Sequence, residues 1–239
     1  MKRFRHFLPI VVLIAAGIAL LASGVLNRFR PENLAQEQAA LQAQIALHPF
    51  LAAGAYVIAV TLAISTGIPG VVVLILAGGM LYGVWFGTVL STVGVTLGAL
   101  ILFLASRHAF GDHRGARAPG LVERLRGGYN AHPVSYTLFL RLVPVIPFGG
   151  VTVALAWLRC PLWLFLTATA VGGAVMTGVE TALGAGLAKT IGQKQAVSAD
   201  IFTQPGVLIP LVALGLLALA PVLVAKWRAR TAAARTDNV

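Results

Sequence analysis

Phe139-Leu140-Arg141-Leu142-Val143-Pro144-Val145-Ile146-Pro147-Phe148 is the stretch that decides how this chain folds. It lies inside an apolar run, 134–158, with one permanent cation in its middle. A guanidinium stays charged at any ordinary pH, and leaving it in hydrocarbon costs about 2.5 to 3.5 kcal/mol even on the lenient insertion scale. The two prolines remove backbone donors and break a continuous helix. Lipid tolerates such a break only where the opened backbone faces protein or a wet cavity. The stretch therefore reads as a broken, re-entrant element lining a polar pocket within a membrane.

Composition agrees. Of 239 residues, 58% are hydrophobic and only 10% charged, with a mean hydropathy of +0.88, which excludes a soluble domain built around one core. No second, soluble domain is apparent. Net charge is +11, but the basic residues flank apolar segments instead of forming aromatic-interleaved patches. They point to an anionic membrane leaflet, and no nucleic acid is expected. The single Cys160 excludes an internal disulfide and any multi-cysteine metal site.

Crossing about 30 Å of hydrocarbon takes about 20 helical residues. Four runs are long enough: 7–26, 84–105, 161–187 and 206–225. Two others are interrupted near their middles. The run 50–83 breaks at Gly67-Ile68-Pro69-Gly70, and 134–158 breaks at Pro144 to Pro147. Each arm is too short to cross. With both stretches re-entering on the side they left, thirteen of the eighteen Lys and Arg residues fall on the side of the amino terminus, as the positive-inside rule requires of cytoplasm. An eight-crossing arrangement would keep the same parity, so arm length, not charge, separates the two. The expected fold is all-α: four transmembrane helices and two re-entrant helical hairpins. The halves echo each other in pattern, a pseudo-inverted repeat of the kind that places a binding site at the bilayer midplane.

The chain divides accordingly into an anchor helix (1–30), an interfacial helix (31–49), the core with both hairpins (50–190), an outer loop and last span (191–226), and a basic disordered tail (227–239). The start, Met1-Lys2-Arg3-Phe4-Arg5-His6, is signal-like, but its apolar run is long for a cleaved signal and reads as an anchor. Leu34, Leu41 and Ile45 share one helical face, as do Leu121, Val122 and Leu125; these segments read as surface helices or as solvated connectors.

Within the core, Gly83, Gly87, Ser91, Gly94 and Gly98 form a ridge suited to close helix packing. Thr169, Gly173, Thr177, Glu180 and Gly184 fall on one face of the third span, which turns Glu180 inward as a candidate proton carrier or as a carboxylate reaching outer water. By axial rise, Arg141 and Glu180 stand at different depths, so direct pairing is not expected. No acidic residue accompanies Arg141 in its hairpin, so it either caps the hairpin carbonyls as a structural element or grips an anion such as a lipid phosphate. His108, His113 and His132 lack metal-ligand spacing, so neither metal nor cofactor is expected. Neither paired carboxylates nor a Ser-His arrangement occurs in the spans, which argues against an enzyme.

Ile68-Pro69-Gly70, Ala77-Gly78-Gly79-Met80-Leu81-Tyr82-Gly83, then Gly87, Gly94, Gly98 and Phe103 through Arg107 resemble the first half of the DedA superfamily, in its SNARE-associated-Golgi-protein or VTT-domain branch. Arg141 through Phe148, followed by Thr169, Gly172 and Gly184, resembles the later motif of that family, so the likeness covers about residues 45–190. Thr152 stands where that branch usually has asparagine, Ala156 where it has glycine, Val175 where it has proline, and Glu180 where it has an aromatic residue. The first hairpin also lacks the acidic residues of other branches.

The resemblance implies movement of phospholipids or polyprenyl-phosphate carriers between leaflets by a flippase- or scramblase-like protein. It further implies a multi-pass protein of the bacterial inner membrane, with both termini cytoplasmic. In that reading Arg141 holds the headgroup, Pro144 and Pro147 keep the cavity open, and Thr152 joins them at the substrate. Pro69, Gly70, Gly78, Gly83 and Gly87 form breaks and packing contacts. A proton-coupled exporter of small cations or drugs, titrating at Glu180, and a membrane assembly factor without transport are the alternatives. A homo-oligomer is left open.

Overall fold

The computed structural model describes residues 40–67, 70–110, 120–142 and 147–192, with isolated residues at 11–13, 15, 19, 205, 208, 209 and 212. The expected spans 7–26 and 206–225, the tail, and the residues Pro69 and Pro144 lie outside this described part. Within it the chain is all-helical. Helix α1 is Ala40–Leu47, α2 Pro49–Ser65, α3 Val71–Phe110, α4 Gly120–Ala131, α5 Pro133–Leu142, α6 Phe148–Trp157 and α7 Leu162–Gly192. Two of these contain stretches long and apolar enough to cross a membrane, Val71–Ala109 and Leu162–Lys189, or three if the pair α1 and α2, bent by 113°, is counted as one.

Helix α3 is not one rod. At Gly83 the backbone adopts φ 75° and ψ −176°, a region essentially reserved for glycine. A straight helix would hold residues 78 and 87 about 13 Å apart. Instead a Cβ built on Gly87 would lie 2.9 Å from the carbonyl oxygen of Gly78. The chain therefore folds back at Gly83, and the arm 71–82 lies against the long part of α3. Gly83 thus belongs to the turn and not to the packing ridge, a correction to the reading from spacing. Gly83→Ala would force a side chain into a backbone that only glycine adopts freely, although nothing lies within 4 Å to clash. It is expected to lower stability by about 1 to 3 kcal/mol, read as a lower unfolding midpoint in detergent.

The rest of the ridge packs. Cβ atoms on Gly94 and Gly98 would fall 2.8 Å from Val60 Cβ and 2.6 Å from Thr61 O of α2. The Tyr56 hydroxyl hydrogen-bonds with Ser91 Oγ at 2.6 Å and donates to Leu74 O at 3.2 Å, joining α2, the arm and the span at one point. The opposite face of α3 carries Trp85, Phe86, Val89, Val93, Leu97, Ile101 and Leu104, all exposed. An apolar stripe of this length meets lipid, not water.

Helices α3 and α7 run antiparallel. Thr88 pairs with Thr181 at 2.7 Å and Thr92 with Thr177 at 2.9 Å through their hydroxyls, while Phe103 stacks on Phe165 at 4.1 Å. Residue numbers rise on one helix as they fall on the other. Exposed Trp85 and Trp163 consequently mark opposite ends of the pair, where aromatic side chains settle at membrane interfaces.

The expected surface helix at Leu121, Val122 and Leu125 is corrected in part. Val122 and Leu125 are buried and pack into the main core with Tyr129, so α4 lays its apolar face on the bundle. Of the segment 31–49, the described helix is α1, whose Leu41 packs against Ala77 and Met80. Helix α6 ends in a Schellman close, with Cys160 N–H bonded to Leu155 O at 3.0 Å and Arg159 N–H to Ala156 O at 3.1 Å. Arg159 takes φ 55°, where glycine is usual. This turns the chain directly into α7 and seats Cys160 in the core.

Candidate functional site

Arg141 ends the last turn of α5, where a cation meets the helix carbonyls. It is buried, 6% exposed. Gly172 of α7 makes this position possible, because a Cβ there would lie 2.6 Å from Arg141 Cβ. Above and below, the guanidinium is held between aromatic rings: Arg141 Cζ lies 4.4 Å from the centroid of Phe148 and 4.8 Å from that of Phe165. Such stacking is favourable to a cation, and more so away from water.

One edge of the guanidinium is tied down. Nη1 donates to Thr152 Oγ1 at 3.1 Å, and that hydroxyl donates in turn to Phe148 O at 2.9 Å. Thr152 is fully buried and outside the cavity lining, so it braces Arg141 from behind instead of meeting a ligand directly. The other edge, Nε and Nη2, is shielded and has no hydrogen-bond partner among the described residues. Those two N–H groups point the same way and form the fork that takes a carboxylate or phosphate bidentately. Buried donors are nearly always satisfied, which makes this unpartnered edge unusual among the described residues.

Arg141 lines a cavity of about 240 Å³. Pro147, at the entry to α6, borders it together with Phe148, Gly172 and Thr177, and so does Glu180. Sequence reasoning separated Arg141 from Glu180 by depth; the structure places both on one space. They are not in contact, and no ion pair joins them. Glu180 is 9% exposed, and its carboxylate has neither hydrogen bond nor ion pair among the described residues. The predicted inward face of α7 holds, with Thr169 and Thr177 also buried.

A larger recess of about 640 Å³ opens between α1, α2 and the end of the arm at Leu81 and Tyr82. It carries no Asp, Glu, Lys or Arg, so of these two recesses only the smaller is lined by charged side chains. Gly70 lies at the start of the arm with φ 99°, and Gly78 is pressed against the Tyr56 hydroxyl; both are turn and packing positions, and neither is among the residues that line the cavity of Arg141. Among the described residues no three of His, Cys, Asp and Glu come together.

The sequence pattern missed the two aromatic platforms and the Gly172 contact. Phe148 stood within the decisive motif, but Phe165 carried no signal, since only the packing of α7 on α5 makes it a partner of Arg141.

No solved structure matches the chain. The model of the VTT domain matches residues 68–186, which span the arm, the long part of α3, the three short helices α4 to α6 and most of α7. That is the domain of the DedA and SNARE-associated Golgi protein family, a family of membrane proteins generally regarded as transporters, and the chain belongs to it.

Proposed function

We propose that the protein moves a phosphate-bearing lipid between the leaflets of a membrane, with the Nε and Nη2 edge of Arg141 gripping the phosphate. The observation that carries this reading is the unpartnered fork of a buried cation bordering a cavity. A lone buried cation is expensive in hydrocarbon unless an anion visits it. Phe148 is only partly buried and stacks on one face of the guanidinium, which leaves the fork to meet a phosphate in the guanidinium plane. Lipid phosphate of a glycerophospholipid or of a polyprenyl carrier offers the same grip.

The reading includes a topology. The arm 71–82 is about 18 Å long and α5 and α6 about 15 Å each, shorter than the hydrocarbon layer; they are two re-entrant hairpins, each followed by a span, and the antiparallel run of α3 and α7 fits an inverted repeat. Both termini lie in the cytoplasm of a bacterial inner membrane, with basic residues such as Arg107 and Arg159 on that side.

Reconstitution tests it. Liposomes holding a lipid labelled on its acyl chain are treated with dithionite, which bleaches only the outer leaflet. Protein-containing vesicles are expected to lose more than the half of the signal that protein-free vesicles lose. Equal loss in both defeats the proposal.

A second reading has one observation in its favour, the unpartnered buried carboxylate of Glu180 on the same cavity. In it the protein exchanges protons for a small cation. Glu180→Gln would then abolish the response to a pH gradient, while Arg141 variants would matter little.

A further inference from the structure

We infer that the core is built as two rigid halves that part along a seam, and that the hydroxyl of Tyr56 is the latch between them. One half is α2 with the long part of α3. There, Cβ atoms on Gly94 and Gly98 would lie 2.8 Å from Val60 Cβ and 2.6 Å from Thr61 O. The other half is the arm 71–82 with α7, where Cβ atoms on Gly79 and Gly184 would collide with the carbonyl oxygens of Thr181 and Leu76. Contacts this close leave no slack, so each pair moves as one piece. Between the halves the links are of another sort. Thr88 meets Thr181 and Thr92 meets Thr177 through hydroxyls, and Phe103 stacks on Phe165; such side chains let go by turning about single bonds. The close approach of Gly87 to Gly78 lies beside the turn at Gly83, where it serves as the pivot.

Tyr56 bridges the halves at a single atom. Its hydroxyl donates to Leu74 O of the arm at 3.2 Å, so it is Ser91 of α3 that donates to it, at 2.6 Å. The carbonyl of Leu74 is open to this second donor because the residue one turn on is Gly78, where a Cβ would overlap the hydroxyl. Opening the latch strands no buried group. Ser91 turns its hydrogen to the carbonyl of Gly87, one turn back in its own helix, and Leu74 O keeps its helical partner. Both ends of the arm are free to turn, since Gly70 and Gly83 stand at φ 99° and 75° with nothing within 4 Å of a built Cβ. The seam runs beside the smaller cavity, which Ile64 and Val95 wall from the first half and Val71 and Ile75 from the second. The inference goes beyond the transport reading and holds whatever that cavity takes.

Thiol labelling of the full chain in detergent tests this. Cys160 is the single native cysteine and is 0% exposed, so its labelling reports unfolding of the whole core. Val95→Cys places a second thiol on the seam, at a position 4% exposed. Both positions are read by mass spectrometry of their peptides after a pulse of N-ethylmaleimide. Tyr56→Phe keeps the ring and removes the hydroxyl. It is expected to speed labelling at position 95 about tenfold, the size of one hydrogen bond, and to leave Cys160 unchanged. Ser91→Ala is expected to act in the same direction and to add little to Tyr56→Phe, because the two hydroxyls form one bonded chain. Equal acceleration at both positions in both variants means that the hydroxyls hold the fold as a whole, and overturns the latch. No acceleration at position 95 overturns it too. If Tyr56→Phe loosens the entire core, Ser91→Ala, which leaves the bond to Leu74 O in place, decides alone. The readout uses no transported lipid, so the latch and the transport reading fail separately.

Discussion

Arg141→Met is expected to stop lipid movement and, at the same time, to make the protein more stable. Two N–H groups of a 6% exposed guanidinium go without partners, and each unsatisfied buried donor costs about 1 to 3 kcal/mol. Methionine has similar length, lies comfortably between the rings of Phe148 and Phe165, and carries no charge to bury. Replacing a buried charge by a fitted apolar side chain gains about 1 to 4 kcal/mol in comparable cases. For a chain of this size that is a rise of roughly 2 to 16 °C in midpoint, less what is lost with the Thr152 bond and the ring contacts. Transport should fall by about a hundredfold or more, because two charge-assisted hydrogen bonds to phosphate disappear together. Arg141→Lys keeps the charge but not the fork, and is expected to retain a small fraction of the rate. If Arg141 were a structural cap, Arg141→Met would instead lower the midpoint, and any loss of transport would follow the loss of folded protein. Thermal unfolding in detergent and the dithionite assay, run on the same samples, separate the two cases.

The parts of this molecule that the sequence displayed are those encoded by neighbours in the chain. Helix α2 ends at Ser65 and the arm begins at Val71, around the Gly67 to Gly70 cluster. Helix α5 ends at Leu142 and α6 begins at Phe148, on either side of Pro144 and Pro147. Glycine and proline act on their own backbone, so such breaks are visible locally. The glycine ridge was visible for the same reason, at one remove, since helical spacing decides which residues share a face.

The parts that were hidden depend on distant segments. That Gly83 is a reversal and not a ridge position follows from the arm returning along α3, and glycine spacing looks the same in both cases. The stacking of Arg141 between Phe148 and Phe165 joins three helices. The shared cavity of Arg141 and Glu180 was missed because depth was counted along each element from its own start, whereas α5 packs at Gly172, well inside α7. Periodicity fixes faces; it does not fix the axial register of one helix on another.

The register of the arm on α7 is set by two glycines, and substituting either should lower stability. A Cβ on Gly79 would collide with the Thr181 carbonyl oxygen and come within 2.7 Å of Thr181 Cα. A Cβ on Gly184 would collide with the Leu76 carbonyl oxygen and come within 3.0 Å of Leu76 Cα. In each case the obstacle is backbone, which cannot rotate away as a side chain can. Gly79→Ala and Gly184→Ala are each expected to lower stability by about 1 to 3 kcal/mol through overpacking, even though alanine favours a helix over glycine by about 1 kcal/mol. The double variant should cost less than the sum, because once the arm has been pushed off α7 by one methyl group the second meets less resistance. Gly54→Ala is the control: it lies in α2 with nothing within 4 Å, so the helix preference acts alone and the midpoint should rise slightly. If Gly79→Ala proves as stable as Gly54→Ala, the arm does not rest on α7 by its backbone. The wall of the cavity formed by Ile75 and Glu180 would then need another support, because these two residues belong to the segments that Gly79 and Gly184 hold together.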